Sequence, residues 1–343
     1  MALRFKRRSI GRPYLTDLAA IGLGFVAIML WIAPAFGFAD LYRQIWPLWA
    51  LACIALVIWA VWRVPSRGIA IAVLTLAIWL PSAGSFWQTA FQDTSRGDSG
   101  DAITLASHNL WGRNRAHDLT IDVLREIDAD ILALQEAGVR TRAIHTALDT
   151  DYPFEAECGR APVRLYSRLP IIDSGCMRDL LDANRSLGDP EWYWDFPASN
   201  WARIRHPGGE DFVVVNVHFT WPNPLSLQDQ ERINFAQIVR LFEQDTLIIL
   251  GDFNAAAPSA ALARFDRDLT PTRRTHSIAT WPSQGRWIDE HGNALPMPTL
   301  FAGIDHIYAG VRWQTVDIKV GPNTGSDHRP VIGRFVLWSR RER

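Results

Sequence analysis

Six short polar motifs lie between residues 102 and 338, and each adjoins a run of apolar residues. They combine carboxylates, amides and imidazoles, and they occur in the order Ser107–Trp111 (SHNLW), Gln135–Glu136, Asn216–His218 (NVH), Gly251–Asn254 (GDFN), Asp305–His306 and Gly325–Pro330 (GSDHRP). Such apolar runs are typical of buried strands, and polar groups at neighbouring strand ends can share one edge of a sheet. Carboxylates there can hold a hard divalent cation, while imidazoles can stabilise charge or carry a proton. The motifs therefore predict a convergent site on a rigid sheet.

Each motif taken singly also has a plain structural explanation. The sequence Gly251–Asn254 is typical of a turn, and a histidine such as His218 is often a satisfied core residue. A lone Gln135–Glu136 suits the exposed start of a helix. Six such motifs in order, each at a predicted strand end, favour the functional interpretation.

The elements that must position these motifs predict one α/β domain over residues 102–338. Strands are predicted at 103–107, 131–134, 212–218, 247–250, 304–308, 313–320 and 331–337, and helices at 119–127, 140–148 and 226–242. The run FVVVNVH at 212–218 is too apolar for a half-exposed strand, so we expect it to be central. Asp118 is predicted to cap the first helix, and Ser226–Asp229 to open the last as a capping box.

The order and content of the motifs resemble the endonuclease/exonuclease/phosphatase superfamily, whose members include deoxyribonuclease I, repair nucleases, neutral sphingomyelinases and inositol polyphosphate phosphatases. The resemblance covers about residues 102–338 and rests on NLW at 109–111, LQE at 134–136, YSRLPI at 166–171, NVHF at 216–219, GDFN at 251–254, IDH at 304–306 and SDHRPV at 326–331. GDFN and SDHRP are the specific elements. The resemblance implies a four-layered α/β sandwich, two mixed sheets with outer helices, and hydrolysis of phosphoesters.

The resemblance also implies a metal site. Glu136 would be the principal ligand, assisted by Asn109 and by Asp327. Oxygen ligands without a thiolate predict Mg²⁺ or Mn²⁺ rather than zinc. The three cysteines of the chain show no C-x-x-C spacing, which also argues against a zinc cluster.

The catalytic roles implied by the resemblance fall on five residues. Asp252 would orient or deprotonate the attacking water, and Asn254 would hold a phosphoryl oxygen. His218 and His328 would bind the substrate by donating to its non-bridging oxygens. Asp305 would pair with His328, fix its tautomer and raise its pKa. The sequence leaves open whether Asp252 or His328 takes the proton.

Residues before 102 predict a membrane anchor. Three runs at 18–38, 45–62 and 68–92 contain no charged residue and are each about long enough to cross a bilayer. We therefore expect a basic cytoplasmic N-terminus at 1–17, three transmembrane helices within 18–92 that contact the bilayer, and a Gly/Ser-rich linker at 93–101. A cleaved signal peptide would explain only the first run.

Lysines and arginines set the expected orientation. Five precede the first run, and Arg63 and Arg67 separate the second from the third. The positive-inside rule then places the catalytic domain outside the cytoplasm, on the periplasmic side of an inner membrane. Cys158 and Cys176 would be two free thiols or, in that oxidising compartment, a disulfide.

The substrate stays open between nucleic acid, a lipid headgroup and a small phosphoester. Residues 101–343 hold 26 Lys/Arg against 32 Asp/Glu, which is a poor match for nucleic acid unless scattered arginines form a local basic rim. The aromatic segment at 189–201 would suit either contact with a bilayer or packing in the core. No protein partner is indicated, and a non-catalytic sensor or scaffold is the remaining alternative.

Overall fold

The computed structural model describes residues 12–63, 68–90, 102–159, 161–184, 196–222, 225–288, 294–296 and 298–338. It begins with four helices, α1 (Arg12–Ile32), α2 (Gly37–Gln44), α3 (Trp46–Arg63) and α4 (Gly68–Ala90). α1, α3 and α4 pack together around Leu30, Cys53 and Ile78, which are almost fully buried. These helices cover the three uncharged runs of the sequence.

The first apolar run is not one continuous helix. α1 ends at Ile32 and α2 begins at Gly37, so Pro34 lies in the break, where a proline removes a helical hydrogen bond. Among the described residues, no single helix is both long and apolar enough to cross a membrane. Asp17–Ile32 and Gly37–Gln44 together have a suitable length and composition, but the pair is bent by 117°. The prediction of three separate transmembrane helices is therefore not supported.

The remaining residues form a domain of strands and helices. Its first half contains β1 (Ile103–Asn109), α5 (His117–Ile127), β2 (Ile131–Gln135), α6 (Arg142–Leu148), β3 (Phe154–Glu157), β4 (Val163–Ser167), β5 (Ile171–Cys176) and α7 (Met177–Ala183). Its second half contains β6 (Ala198–Arg205), β7 (Asp211–His218), α8 (Leu225–Val239), β8 (Ile248–Asp252), α9 (Ala260–Asp268), β9 (Arg273–Arg274), β10 (Arg286–Ile288), β11 (Ala294–Pro296), β12 (Asp305–Ala309), β13 (Trp313–Val320) and β14 (Val331–Leu337).

Two six-stranded mixed sheets carry the fold, in the strand orders β13–β14–β1–β2–β4–β3 and β5–β6–β7–β8–β12–β9. β7 lies inside its sheet, as its apolar sequence predicts. The inner faces of the two sheets pack on each other through side chains such as Leu105, Val214 and Leu250. α5 and α6 cover the outer face of the first sheet, and α7, α8 and α9 cover the second. This arrangement confirms the predicted α/β sandwich.

Several local predictions are wrong. α5 begins at His117, so Asp118 lies in its first turn and Ala116 occupies the capping position. α8 begins at Leu225, which places Ser226 inside the helix rather than at its cap. Strands β3 to β6 and β9 to β11, together with helices α7 and α9, were not predicted, because their short mixed segments lack a clear apolar period. Within the aromatic segment, Phe196 and Trp201 are core residues, whereas 189–195 lie outside the described residues.

Candidate active site

The direction of the strands brings the polar motifs to one edge of the sandwich. β1 runs parallel to β2, and β7 runs parallel to β8, so their carboxyl ends place Asn109, Glu136, His218 and Asp252 at the same end of the two sheets. β12 is antiparallel to β8, and its first residue, Asp305, lies directly opposite Asp252. Side chains far apart in sequence therefore meet because the sheets fix their registers.

Backbone conformation at this edge is unusual. Trp111, Glu136 and Asn254 have φ angles of 56°, 52° and 47°, in the left-handed region that non-glycine residues seldom occupy. Gly251 has a φ of 152°, and a Cβ there would lie 1.8 Å from the carbonyl oxygen of Val217. Strained backbone of this kind is frequent at functional sites, where it aims side chains into a cavity.

Asn109 links two of the carboxylates. Its amide Nδ2 donates to Asp252 Oδ2 at 2.9 Å and to Glu136 Oε1 at 3.2 Å. Its Oδ1 accepts the backbone N–H of Trp111 at 2.8 Å. Glu136 also accepts the backbone N–H of Gly112 at 2.6 Å through Oε2. Asn109 thus faces the two carboxylates as a hydrogen-bond donor and holds them in place.

Asp252 is the buried centre of the site. Its Oδ1 accepts the backbone N–H of Asn254 at 2.8 Å, and its Oδ2 lies 3.5 Å from His218 Nε2 and 3.8 Å from His328 Nε2. Burial raises the pKa of Asp252 to about 6, with His328 opposing the shift and Asp305 adding to it. A carboxyl group with this pKa can accept a proton near neutral pH.

Asp305 binds Nδ1 of His328, the ring nitrogen that faces away from Asp252. His328 Nδ1 lies 2.9 Å from Asp305 Oδ2, and Thr280 Oγ1 donates to the same carboxylate oxygen at 2.5 Å. Burial alone would lower the pKa of His328, but the carboxylates of Asp305 and Asp252 outweigh it and raise the pKa well above the usual value. The two carboxylates therefore favour the cationic form of the imidazole, whose Nε2 lies 3.8 Å from Asp252 Oδ2.

Asn254 and His218 flank Asp252 on the other side. Asn254 Nδ2 donates to the carbonyl oxygen of Phe219 at 2.8 Å and lies 3.4 Å from His218 Nε2. Asn254 is buried, whereas His218 is half-buried with 20% of its side chain exposed. Both side chains thus come from adjacent parallel strands and stand next to the Asp252 carboxylate.

One carboxylate oxygen of Asp327 is in a position to bind a cation. Its Oδ1 is buried and has no hydrogen-bond partner among the described residues, while its Oδ2 accepts Trp281 Nε1 at 3.4 Å. Burial raises the pKa of Asp327; His328 opposes this, and the nearby Glu136 carboxylate adds to it. Two carboxylates at one cavity, one with an unsatisfied oxygen, fit a hard divalent cation.

A second group of potential ligands is the buried trio of Asp252, Asp305 and His328, whose ligand atoms lie within 4.8 Å of one another. In this trio, however, Asp305 is already hydrogen-bonded to His328 and Thr280. Asp305 is also absent from the cavity wall, whereas Asp252 and His328 belong to it. Asp305 and His328 of this trio are therefore better suited to sharing a proton than to binding a cation. The pair Glu136 and Asp327 is more accessible to an ion from the cavity.

These side chains open into a cavity of about 830 Å³. Asn109, Glu136, Asp252, Asn254, Asp327 and His328 form its polar wall. The rest is largely apolar and includes residues that the sequence did not indicate, from two parts of the chain. Trp221, Trp281 and Phe301 come from the domain of strands and helices, whereas Leu41 and Gln44 lie on α2 and Ile45 directly follows it.

Other supporting residues were also missed. Thr280 binds Asp305, and it lies in a segment without a recognisable motif. Gln135 Nε2 donates to Asn216 Oδ1 at 2.7 Å, so two strand-end amides join the sheets beside the site. Both amides were visible as motif residues, but no sequence signal indicated that they bind each other.

The chain belongs to the Endonuclease/Exonuclease/phosphatase family, whose model matches residues 106–328. Members of this family are phosphoesterases and nucleases. No curated protein sequence matches the chain significantly. The match to the family ends before β14 and excludes the N-terminal helices.

Solved structures show the same fold. An endonuclease/exonuclease/phosphatase from Bacteroides vulgatus is 17% identical with a TM-score of 0.52, over 69% of this chain and 99% of its own. A humanized TDP2 from D. rerio is 14% identical with a TM-score of 0.51, over 69% of this chain and 100% of its own. The D. rerio TDP2 bound to a single-strand DNA product is likewise 14% identical, with a TM-score of 0.50, over 69% of this chain and 99% of its own.

Proposed function

We propose that this chain is a membrane-anchored phosphodiesterase that uses a divalent cation, Mg²⁺ or Mn²⁺, to hydrolyse P–O bonds with an activated water molecule. The observation that carries the proposal is the polar wall of one cavity, where two carboxylates, Glu136 and Asp327, stand beside the Asp252 carboxyl and the His328 imidazole. A bound cation, held by Glu136 and Asp327, would supply positive charge to the phosphoryl oxygens.

The chain's own groups divide the remaining work. Asp252, whose pKa is raised to about 6, is the base that orients the water and takes its proton. His328 is held cationic by Asp305, so it donates from Nε2 to a non-bridging oxygen as charge develops there. Asn254 and His218 are the other donors to the phosphoryl group. In this proposal Asp252 is the base and His328 the donor.

Attachment to a membrane is supported by the outer surface of the helical segment. Large apolar side chains point away from the protein there, with exposed fractions of 70% at Ile21, 63% at Leu51 and 58% at Leu76. An apolar surface of this extent is typical of a bilayer or a partner interface. The orientation rule would put residues 39–44 and the catalytic domain on the same side of the bilayer, which agrees with the contact of α2 with α9.

An extracytoplasmic location is supported by one covalent bond. Cys158 and Cys176 form a disulfide, with their Cα atoms 5.2 Å apart. Disulfides persist in oxidising compartments such as the periplasm and are rare in the cytosol. The disulfide, rather than two free thiols, therefore agrees with the proposed location on the periplasmic side of an inner membrane.

Hydrolysis of nucleic acid is the second candidate function. The D. rerio TDP2 complex with single-strand DNA supports it by fold similarity alone. The arginines of this chain give it less support, because Arg164 pairs with Glu155 and Arg274 pairs with Asp266. Arg113 and Arg140 are the arginines on the described cavity wall.

The test is chelator-sensitive hydrolysis by the full chain. Bis-p-nitrophenyl phosphate and single-stranded DNA are assayed with Mg²⁺, Mn²⁺ or EDTA, using wild type, Asp252→Ala and Asp317→Ala. Asp317 is an exposed acidic residue on β13 and provides the matched control. We expect Asp252→Ala to lose about 10²–10⁴-fold in turnover and Asp317→Ala to match wild type. Cleavage that survives EDTA, or that Asp252→Ala retains, would defeat the proposal.

A further inference from the structure

α2 is fastened to the catalytic domain by a buried carboxylate. Asp40 Oδ1 accepts the backbone N–H of Ala260 at 2.6 Å, and Oδ2 accepts the N–H of Ala261 at 3.1 Å and Ser259 Oγ at 2.8 Å. These donors lie at the N-terminus of α9, where free N–H groups favour a negative charge. Asp40 is fully buried, so this contact is an integral part of the fold.

Further contacts fix the position of α2. Gln44 Oε1 accepts the backbone N–H of Ala256 at 2.5 Å, and Arg43 Nε donates to the Leu30 carbonyl oxygen of α1 at 2.9 Å. Ile45 packs on the apolar cluster that contains Trp281 and Phe301. The N-terminal helices and the catalytic domain therefore meet along the edge of the active-site cavity.

The cavity at this junction has two chemically different parts. Its polar part carries the groups proposed for catalysis, whereas Leu41 and Ile45 belong to an apolar part completed by Trp221, Trp281 and Phe301. The Trp221 and Trp281 rings meet edge to face with centroids 5.6 Å apart, and Trp281 and Phe301 do so at 5.7 Å. A volume of about 830 Å³ is in the range of sites for whole small molecules and exceeds the needs of a phosphate group.

We propose that α2 and the residue that follows it, Ile45, are part of the substrate site, and that Leu41 and Ile45 bind the hydrocarbon portion of an amphiphilic phosphodiester such as a lipid. Leu41 and Ile45 lie outside the segment that matches the family, so this subsite is an addition to the family domain. Asp40 is a positioning residue that keeps the two side chains against the cavity. The proposal rests on the proposed function, because the phosphoryl group must sit at the polar wall.

A nucleic acid would place different demands on these residues. Its backbone requires cationic contacts along several phosphates, and its bases require aromatic faces. The cavity offers aromatic faces at Trp221, Trp281 and Phe301 and cations at Arg113 and Arg140. Leu41 and Ile45 add an aliphatic surface, at the point where exposed apolar helices join the cavity, and this surface suits an alkyl chain better than a base. An alkyl chain can occupy that surface while its phosphoryl group lies beside Asp252 and His328.

The experiment compares two phosphodiesters that differ only in chain length, methyl p-nitrophenyl phosphate and hexyl p-nitrophenyl phosphate. Each methylene that becomes buried is worth about fourfold in affinity. If half of the five additional methylenes are buried, wild type should prefer the hexyl ester by about thirtyfold in kcat/KM. The full chain is used in one detergent throughout, so partition of the hexyl ester into micelles cancels between variants.

Leu41→Ala tests the subsite, because Leu41 is 43% exposed and its truncation leaves the fold in place. We expect the hexyl-to-methyl ratio of kcat/KM to fall about threefold to tenfold. Leu51→Ala, at an exposed position of α3 away from the cavity, is the matched control and should keep the wild-type ratio. Asp40→Ala should also lower the ratio, mainly by raising KM for the hexyl ester.

Three results would overturn the subsite. They are a wild-type enzyme without hexyl preference, a ratio unchanged by Leu41→Ala, and a Leu41→Ala defect confined to cleavage of single-stranded DNA. Calorimetric binding of hexyl phosphate separates this proposal from the proposed function. Binding that Leu41→Ala weakens, in a protein that hydrolyses neither ester, would defeat the proposed function and support the subsite.

Discussion

Asn216 joins the two sheets beside the active site, so its replacement should lower the free energy of unfolding by an unusually large amount. Its Oδ1 accepts Gln135 Nε2 at 2.7 Å, and its Nδ2 donates to the carbonyl oxygens of Leu134 and Arg164 at 3.0 Å each. Asn216 lies on β7, whereas the three partners lie on β2 and β4 of the other sheet. The side chain is fully buried.

Asn216→Ala should lower the free energy of unfolding by about 3–5 kcal/mol. The substitution removes the side-chain donor of two buried carbonyl groups, and each such loss costs about 1–3 kcal/mol. Gln135 Nε2 keeps Ser107 Oγ at 3.2 Å and the Ala133 carbonyl oxygen at 3.3 Å as acceptors, so it adds less to the cost. Entry of water into the space left by the side chain keeps the total below the simple sum. We also expect turnover to fall about tenfold, because misplaced strand ends weaken catalysis even when the reacting groups are intact.

Asn200 on β6 provides the matched control, since it is the register partner of Asn216. It is equally buried, but its Nδ2 makes one such bond, to the Ala156 carbonyl oxygen at 2.7 Å. Asn200→Ala should therefore cost about 1–3 kcal/mol. Urea unfolding of the full chain, followed by tryptophan fluorescence, measures both. A cost for Asn216→Ala no greater than that for Asn200→Ala would refute the reasoning.

Three further predictions concern the site, the disulfide and the buried histidines. Asp305→Asn should reduce turnover about 10²–10⁴-fold at an unchanged unfolding midpoint, because His328 loses the charge that raises its pKa; near-normal steady-state rates would contradict this. Replacing Cys158 and Cys176 by serine should cost about 3 kcal/mol in urea unfolding, because the bond closes a loop with a sequence separation of 18; a dithiothreitol-treated wild type should match the variant. Burial lowers the pKa of His276 to about 4. Its contribution to the free energy of unfolding is therefore complete above the unfolded pKa of about 6.5 and is lost as pH falls toward 4, by about 3 kcal/mol. His276→Gln should make the fall in unfolding free energy over that window smaller by about this amount, measured by urea unfolding at each pH.

The sequence indicated the catalytic edge because its chemistry is local. Gly251–Asn254 and Gly325–Pro330 are short motifs that keep their polar groups close together along the chain, and each contains a glycine with positive φ, at Gly251 and Gly325. The apolar run at 212–218 likewise predicts a buried strand from composition alone. Strand ends then meet wherever parallel strands are neighbours, so the convergence of these motifs could be inferred before the registers were known.

For the N-terminal segment, the sequence determined where the apolar helices lie but not how they are oriented. Hydropathy identifies apolar runs at 18–38, 45–62 and 68–92, and the helices cover them. It does not report the direction of the chain after Pro34, where a 117° bend turns α2 toward the catalytic domain. After the bend, Asp40 of α2 binds the N-terminus of α9, 220 residues away in sequence, and this contact could not be read from hydropathy.

Tertiary structure alone decided how the site is completed. Thr280, which binds Asp305, and the apolar wall at Leu41 come from segments with no motif of their own. Gln135 and Asn216 belong to motifs, but nothing in the sequence indicates that they bind each other. The physical reason is that hydrogen bonds and cavity walls depend on which surfaces are brought within a few ångströms. Composition and periodicity specify which face of an element is buried, but they contain no information about which distant residue lies opposite.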